Sequence, residues 1–292
     1  MSLRPVLKWI GLGLGGLLVL VGIAGLALFL IGRGRLNRPF ELPAGLASVP
    51  QDSASIARGE HVMQIHGCQG CHGKGLGGLV FLDIPPGLFV ASNLTRGRGG
   101  IGDRYTDGDW DHAIRYGVRP DKSPIVPVMP YKLFNHLSDA DASALIAYLR
   151  TLPAVDNQLP STHVRLPGYI MVGLPGMRNF RGEPGKPPSA SPQVGTAAYG
   201  AYLASSICVE CHGDRLQGGK HPAPDAPPGP GLVAATYGTE ELFATTVRDG
   251  IAPGNRRLSP WMPSQRLKYL TDEEIHSIWI YLQTLMPRAA QP

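Results

Sequence analysis

Apolar and polar residues fall along this chain in blocks of very different length. Residues 9–32 form an unbroken run of 24 uncharged, Leu- and Gly-rich positions. As a helix rising about 1.5 Å per residue, that run crosses a hydrocarbon core of roughly 30 Å. Further on, apolar residues recur every three or four positions. Leu145, Tyr148, Leu149 and Leu152 do so in one stretch, and Ile278, Tyr281, Leu282 and Leu285 in another. This period predicts amphipathic helices. Each opens on a capping-box pattern, Ser138-Asp-Ala-Asp141 or Thr271-Asp-Glu-Glu274, in which hydroxyl and carboxylate satisfy free backbone N–H groups. Pro153 and Pro287 mark the stops. No alternating run is long enough to predict a sheet, so the folded mass is expected to be helical with Gly/Pro-rich loops.

The two helical stretches belong to a repeat. At an offset of 133, His112-Ala-Ile-Arg-Tyr-Gly-Val118 aligns with Thr245-Thr-Val-Arg-Asp-Gly-Ile251, and Tyr148-Leu149 with Tyr281-Leu282. Thr106 and Thr239 fall in the same register as caps of a middle helix. An earlier helix in each half carries Ala57-Arg58-Gly59 or Ala198-Tyr199-Gly200. The expected organisation is an anchor over 1–38, a first unit over 51–153, a Pro/Gly-rich linker over 154–194 and a second unit over 195–288. The linker is too long for a simple connector. It contains Gly168-Tyr-Ile-Met-Val-Gly-Leu-Pro-Gly-Met177, too short and too interrupted to span a membrane. That segment is expected either to fill the space between the units or to form a docking strip for a partner subunit or membrane surface.

Charge changes the picture less than it promises. The net +5 arises wholly within positions 1–38, and the remainder balances 22 basic against 22 acidic residues. Nucleic-acid binding therefore has no support. A basic start (Arg4, Lys8) also suits a cleaved signal peptide, but the apolar run exceeds the 7–15 residues of such a segment, which favours a retained anchor.

The chemistry lies in the cysteines. All four are used in two copies of one pentapeptide, Cys68-Gln-Gly-Cys71-His72 and Cys208-Val-Glu-Cys211-His212. On a helical turn this spacing lets two thiols form thioethers to one haem edge while the adjacent His reaches the iron, the signature of c-type haem. A shared zinc site would place the pairs 15–20 residues apart, whereas 136 residues separate them here. A redox dithiol would lie in a βαβ pattern, which neither motif does.

A haem that transfers electrons needs a second axial ligand, commonly the soft thioether of Met. In the 133-residue register Met129 falls on Met262, and both precede Pro. The metal ligands are thus expected to be His72 with Met129 and His212 with Met262. Met63, Met171, Met177 and Met286 read as gap-fillers. His61, His66, His112, His136, His163, His221 and His276 do not recur at matching places and read as surface or structural. Pro86 and Pro230 are the expected carbonyl acceptors for the Nδ1 protons of the two ligand histidines. In the second unit the loop after the motif carries Pro222, Pro224, Pro227, Pro228 and Pro230, which hold it extended.

With these ligand pairs and helix order, each half resembles a class I cytochrome c domain. The first unit is similar to cytochrome c subunits of membrane-bound bacterial alcohol and gluconate dehydrogenases. The similarity runs through Ala57-Arg58-Gly59-Glu60, Ser92-Asn93-Leu94-Thr95, Gly100-Ile101-Gly102 and Tyr105-Thr-Asp-Gly-Asp-Trp-Asp-His-Ala-Ile-Arg-Tyr-Gly-Val118 to Met129-Pro130-Tyr131. Those subunits commonly carry three haem motifs; this chain has two. The resemblance implies an all-α fold of two tandem class I domains after a transmembrane helix, with two covalently bound haem c. It implies a relay of single electrons rather than an enzyme, from a membrane-bound dehydrogenase or quinol-oxidising complex to an acceptor. It also implies a bacterial inner-membrane location, a single N-terminal pass and haem domains on the periplasmic side, because c-type haem is attached outside the cytoplasm. The flanking charges point the other way, since Arg33, Arg35 and Arg38 outnumber Arg4 and Lys8. Two other roles share this architecture, a dihaem peroxidase with one open haem and the electron-input subunit of a haem-copper terminal oxidase.

Overall fold

In the computed structural model, residues 3–182, 184–221, 223 and 225–285 are described. Pro222, Pro224, Met286, Pro287 and the expected end of the second unit lie outside the described residues. The apolar run is contained in one long helix, α1 (Leu3–Leu36). Its portion Leu7–Leu36 is long and apolar enough to cross a bilayer. Helix α2 (Ser53–His66) begins at Asp52, which accepts from the Ser55 N–H at 2.9 Å, and ends at Gly67 in the left-handed region. The first cysteine motif forms a short helix, α3 (Cys68–His72).

Next comes a hairpin that the helical expectation did not include, β1 (Leu79–Ile84) and β2 (Gly87–Ala91). They pair antiparallel across the turn at Pro85-Pro86, with an irregularity between Val80 and Leu82. Prolines at the turn leave no N–H wasted, and the flanking apolar run pairs on both sides. A third strand, β3 (His163–Val164), comes from the linker and pairs with β2 through Gly87 and Leu88.

The middle helix of the first half splits into α4 (Asp107–Asp111) and a wider π turn over His112–Tyr116. Thr106 caps it with a complete capping box to Asp109. Short α5 (Tyr131–Phe134) follows Met129, and α6 (Asp139–Thr151) stops before Pro153. The linker supplies α7 (Leu166–Gly173). The second half runs through α8 (Ala197–Ile207), α9 (Val209–His212) and α10 (Glu240–Asp249), the last capped by Thr239. Short strands β4 (Ile251–Ala252) and β5 (Arg256–Arg257) precede α11 (Ser264–Leu267) and α12 (Asp272–Gln283).

Two glycines explain how the helices cross. A Cβ on Gly59 would lie 1.9 Å from the carbonyl oxygen of Ala144, and one on Gly200 would lie 1.9 Å from that of Ser277. Only Gly lets α2 press on α6 and α8 on α12 this closely. Each pair carries its own apolar cluster. One holds Val62, Met63, Trp110, Leu145 and Leu149; the other holds Tyr199, Leu203, Phe243, Trp279 and Leu282. Ile65 of α2 is fully buried in the second cluster, so the halves share core.

The apolar linker segment does not fill the space between the halves. It folds as α7 against the far end of α1, where Phe29 and Tyr169 meet edge to face with centroids 5.4 Å apart. Arg35 Nη1 donates to the carbonyls of Val172 and Leu174, both at 2.7 Å. Arg181 donates to the carbonyls of Leu36 and Arg38 and lies over the Phe40 ring. Arg35, counted above as a topology charge, thus has a structural partner on the folded part.

The candidate haem sites

Each Cys-x-x-Cys-His segment sits at the end of an amphipathic helix, where a short turn places both thiols and the His on one side. In the first copy His72 Nδ1 bonds the carbonyl of Ser92 at 2.8 Å. In the second, His212 Nδ1 bonds the carbonyl of Pro230 at 2.7 Å. A carbonyl only accepts, so Nδ1 carries the proton and Nε2 keeps its lone pair for a metal. Burial also lowers the pKa of both imidazoles, with the carbonyl bonds opposing, which favours the neutral form a ligand requires.

The expectation for Pro230 matches the structure, and that for Pro86 does not. The Pro86 carbonyl instead accepts from the Arg165 N–H, joining the hairpin to the linker. The reason is the hairpin itself. It carries Pro86 to a turn and returns the chain, so that Ser92 arrives beside His72.

The methionines lie where the repeat put them. Met129 packs on the same apolar cluster as Cys68, and Met262 on the same cluster as Cys208 and Val209. A cleft in the first half, with about 1340 Å³ of empty space that includes open solvent, is lined by Cys68, Cys71, His72 and Met129. Its other walls are mainly apolar, among them Phe89, Leu94, Ile114 and Leu149. Trp110 also lines it, and its Nε1 is buried with no partner. A flat apolar group with polar substituents fits such a cleft, because it would fill the walls and give that donor an acceptor. The donor set of two thiols, one imidazole and one thioether is that of c-type haem.

Zinc is a poor fit. Among the described residues no group of three or more His, Cys, Asp or Glu side chains is placed to hold a metal. Burial pushes the Cys68 and Cys208 thiols up to about 12.

The spare histidines take structural places. His66 is buried, its Nδ1 bonded to the Val62 carbonyl at 2.8 Å and its Nε2 3.2 Å from Ser206 Oγ. His61 Nε2 lies 2.8 Å from Glu274 of the other half. His112 bonds the Pro43 carbonyl, His276 pairs with Glu240, and His221 meets the Trp261 ring.

Sequence reading missed the seam between the halves. Arg58 Nε bonds Asp141 at 2.9 Å, and Arg58 Nη2 donates to the Tyr199 hydroxyl at 3.0 Å. The Tyr202 hydroxyl donates to Asp141 at 2.6 Å, as the Glu274–His61 contact repeats on the other side. His61 and Tyr202 hold equivalent positions on α2 and α8, and Glu274 and Asp141 equivalent positions on α12 and α6. The seam is therefore pseudo-twofold. Asp141 had been read as closing a capping box, but its carboxylate faces Arg58 and Tyr202, whereas Glu274 closes its box with Thr271.

Comparison with known proteins follows this architecture. The family model described as cytochrome c oxidase, cbb3-type, subunit III, matches residues 54–149 and 195–282. The cytochrome c subunit of a quinone-dependent alcohol dehydrogenase of Gluconacetobacter polyoxogenes is 29% identical over 289 residues, covering 85% of this chain and 60% of that protein. The fructose dehydrogenase cytochrome subunit of Gluconobacter japonicus is 28% identical, covering 80% and 53%. A protein named a diheme cytochrome c-type of Cereibacter sphaeroides is 32% identical, covering 66% of this chain and 69% of that one. The chain spans 60% and 53% of the lengths of these two dehydrogenase subunits.

Proposed function

We propose, from the premise that this chain belongs to the cytochrome c family of the cbb3-type and so binds haem c covalently, that it is a membrane-anchored dihaem relay for single electrons. Cys68 and Cys71 hold one haem and Cys208 and Cys211 the other. His72 with Met129 and His212 with Met262 would ligate the two irons. The bound groups would supply reversible one-electron chemistry, and Met ligation suits transfer by raising the potential and closing the sixth position. The protein fixes each imidazole by its carbonyl bond and surrounds each group with its own apolar cluster.

One observation carries this reading. The same local device is built twice, a motif His with Nδ1 bound to a carbonyl and a Met in register on the cluster of the motif Cys. Mass spectrometry of the holoprotein tests it. Two haem masses are expected, one on each of the peptides containing residues 68–72 and 208–212. A single haem, or none on either peptide, contradicts it.

The expected location is a bacterial inner membrane, with one N-terminal pass and the haem domains in the periplasm. The retained anchor is supported by the grip of α7, Arg35 and Arg181 on its end. A helix of 20 residues from Trp9 reaches Leu28 in about 30 Å. Helix α7 meets α1 beside that level, with Leu166, Met171 and Leu174 exposed. We place that face at the bilayer surface. The proposed donor is a dehydrogenase at the membrane, because relatives named as cytochrome subunits of alcohol and fructose dehydrogenases match across most of this chain. Co-purification tests it, and recovery with a haem-copper oxidase instead would make this chain the electron-input subunit of that acceptor.

A further inference from the structure

Position 266 breaks the repeat at the place where the two haem segments come together. In the 133-residue register Arg266 corresponds to Leu133. Arg266 lies on α11, four residues after Met262, and the next residue, Leu267, is buried in the second cluster with Cys208 packed against the same cluster. Its side chain nevertheless crosses to the first half. Nη1 donates to the carbonyl of His66 at 2.8 Å, and the side chain lies over Gly67, the hinge between α2 and the first cysteine motif. It lines the first cleft together with Cys68, Cys71 and His72. Nε is buried and has no partner. No carboxylate lies within ion-pair distance of Arg266 among the described residues.

The reach of this charge extends to both motifs. The Arg266 backbone lies in the second half, four residues beyond Met262 and beside Leu267 of the cluster that packs Cys208, while its guanidinium lies against the first motif.

We propose that Arg266 is a positioning residue shared by both haem sites, a fixed cation between the two Cys-x-x-Cys-His segments that raises the reduction potential of both haems. The inference rests on the dihaem reading above. Reducing one ferric haem adds one electron and removes one positive charge from that site. A fixed cation nearby therefore favours the reduced form, most strongly where water is excluded. One residue between two sites acts on both, and the single-copy placement of Arg266 is what a shared role requires.

The test is a redox titration of the full chain, in detergent or nanodiscs, for the wild type, Arg266→Gln, Arg266→Met and Arg266→Lys. Haem content and the near-infrared Met-to-iron band are recorded beside the potentials. Both midpoints should fall in the two neutral variants, with Met ligation intact. Arg266→Lys should keep both nearer the wild-type values. A fall at one haem alone, or at neither, overturns the proposal. If both neutral variants lose a haem or a Met band, the role is structural and the proposal also falls. Failure of the dihaem reading has a different sign, because the wild type itself would then show fewer than two haems.

Discussion

A ligand residue in the proposed sites has two tasks, to hold its own geometry and to set what a bound iron could do. The His72 and His212 rings are aimed by carbonyl bonds, so their orientation is set by the backbone. The methionine side chains are placed by packing on the motif clusters, with their backbones held in turns. Met129→Ala is therefore expected to remove one near-infrared Met-to-iron component and lower one midpoint, leaving the other haem unchanged, and Met262→Ala to do the converse. Spectra of the two variants check this, and loss of both components in either variant would mean that the sites are not separate. At this scale the sequence offers its clearest candidates. The cysteines, motif histidines and paired methionines stood out by spacing and register. Ser92 did not, because choosing it over Pro86 requires knowing that a hairpin turns at Pro85-Pro86. Arg266 gave no signal, since its role depends on contact between segments about 200 positions apart.

Elements meet where small residues permit it. Gly59 and Gly200 place carbonyl oxygens where a Cβ would stand. Gly59→Ala or Gly200→Ala is expected to cost at least the roughly 1–3 kcal/mol typical of overpacking, because a backbone oxygen must move. Thermal unfolding of the holoprotein measures it, and an unchanged midpoint would contradict the close crossing. The helices were legible from period and caps. The hairpin was not, for its strands are short and lack alternation over most of their length, and β3 pairs from a distant linker. The linker segment was legible only as two alternatives, since nothing in an apolar ten-residue stretch says which surface it covers, and the structure removes the one between the halves.

At the scale of the whole molecule the halves are joined by charge as well as core. Burial alone would raise Asp141 and Glu274 above the ordinary carboxylate values of 3.8 and 4.5. Hydrogen bonds and charge from Arg58, with Tyr202 and His66, hold Asp141 below its value, and His61 with the Thr271 backbone and Arg58 do so for Glu274. Tyr199 also faces this group. The folded carboxyls thus titrate below their unfolded values. In that window the unfolded chain binds more protons. Their stabilisation is full above about pH 4.5 and is lost as the pH falls through the folded values. Acid unfolding should therefore steepen below that point, and Asp141→Asn should weaken the steepening while costing about 2–3 kcal/mol at neutral pH, between exposed and buried pairs. Chemical denaturation across pH measures both. A second prediction concerns the membrane. In nanodiscs with a photoreactive phospholipid, crosslinks are expected on residues 166–174 as well as on α1, and crosslinks confined to α1 would remove α7 from the bilayer surface.

The central claim, two Met-ligated haems on one relay, is tested most directly by a redox titration of the purified holoprotein with visible and near-infrared spectra. The account predicts two low-spin components, each with a Met-to-iron band in the oxidised form and neither with an open position when reduced. A high-spin or Met-free component at either haem would contradict it and turn attention to small-molecule chemistry at that site.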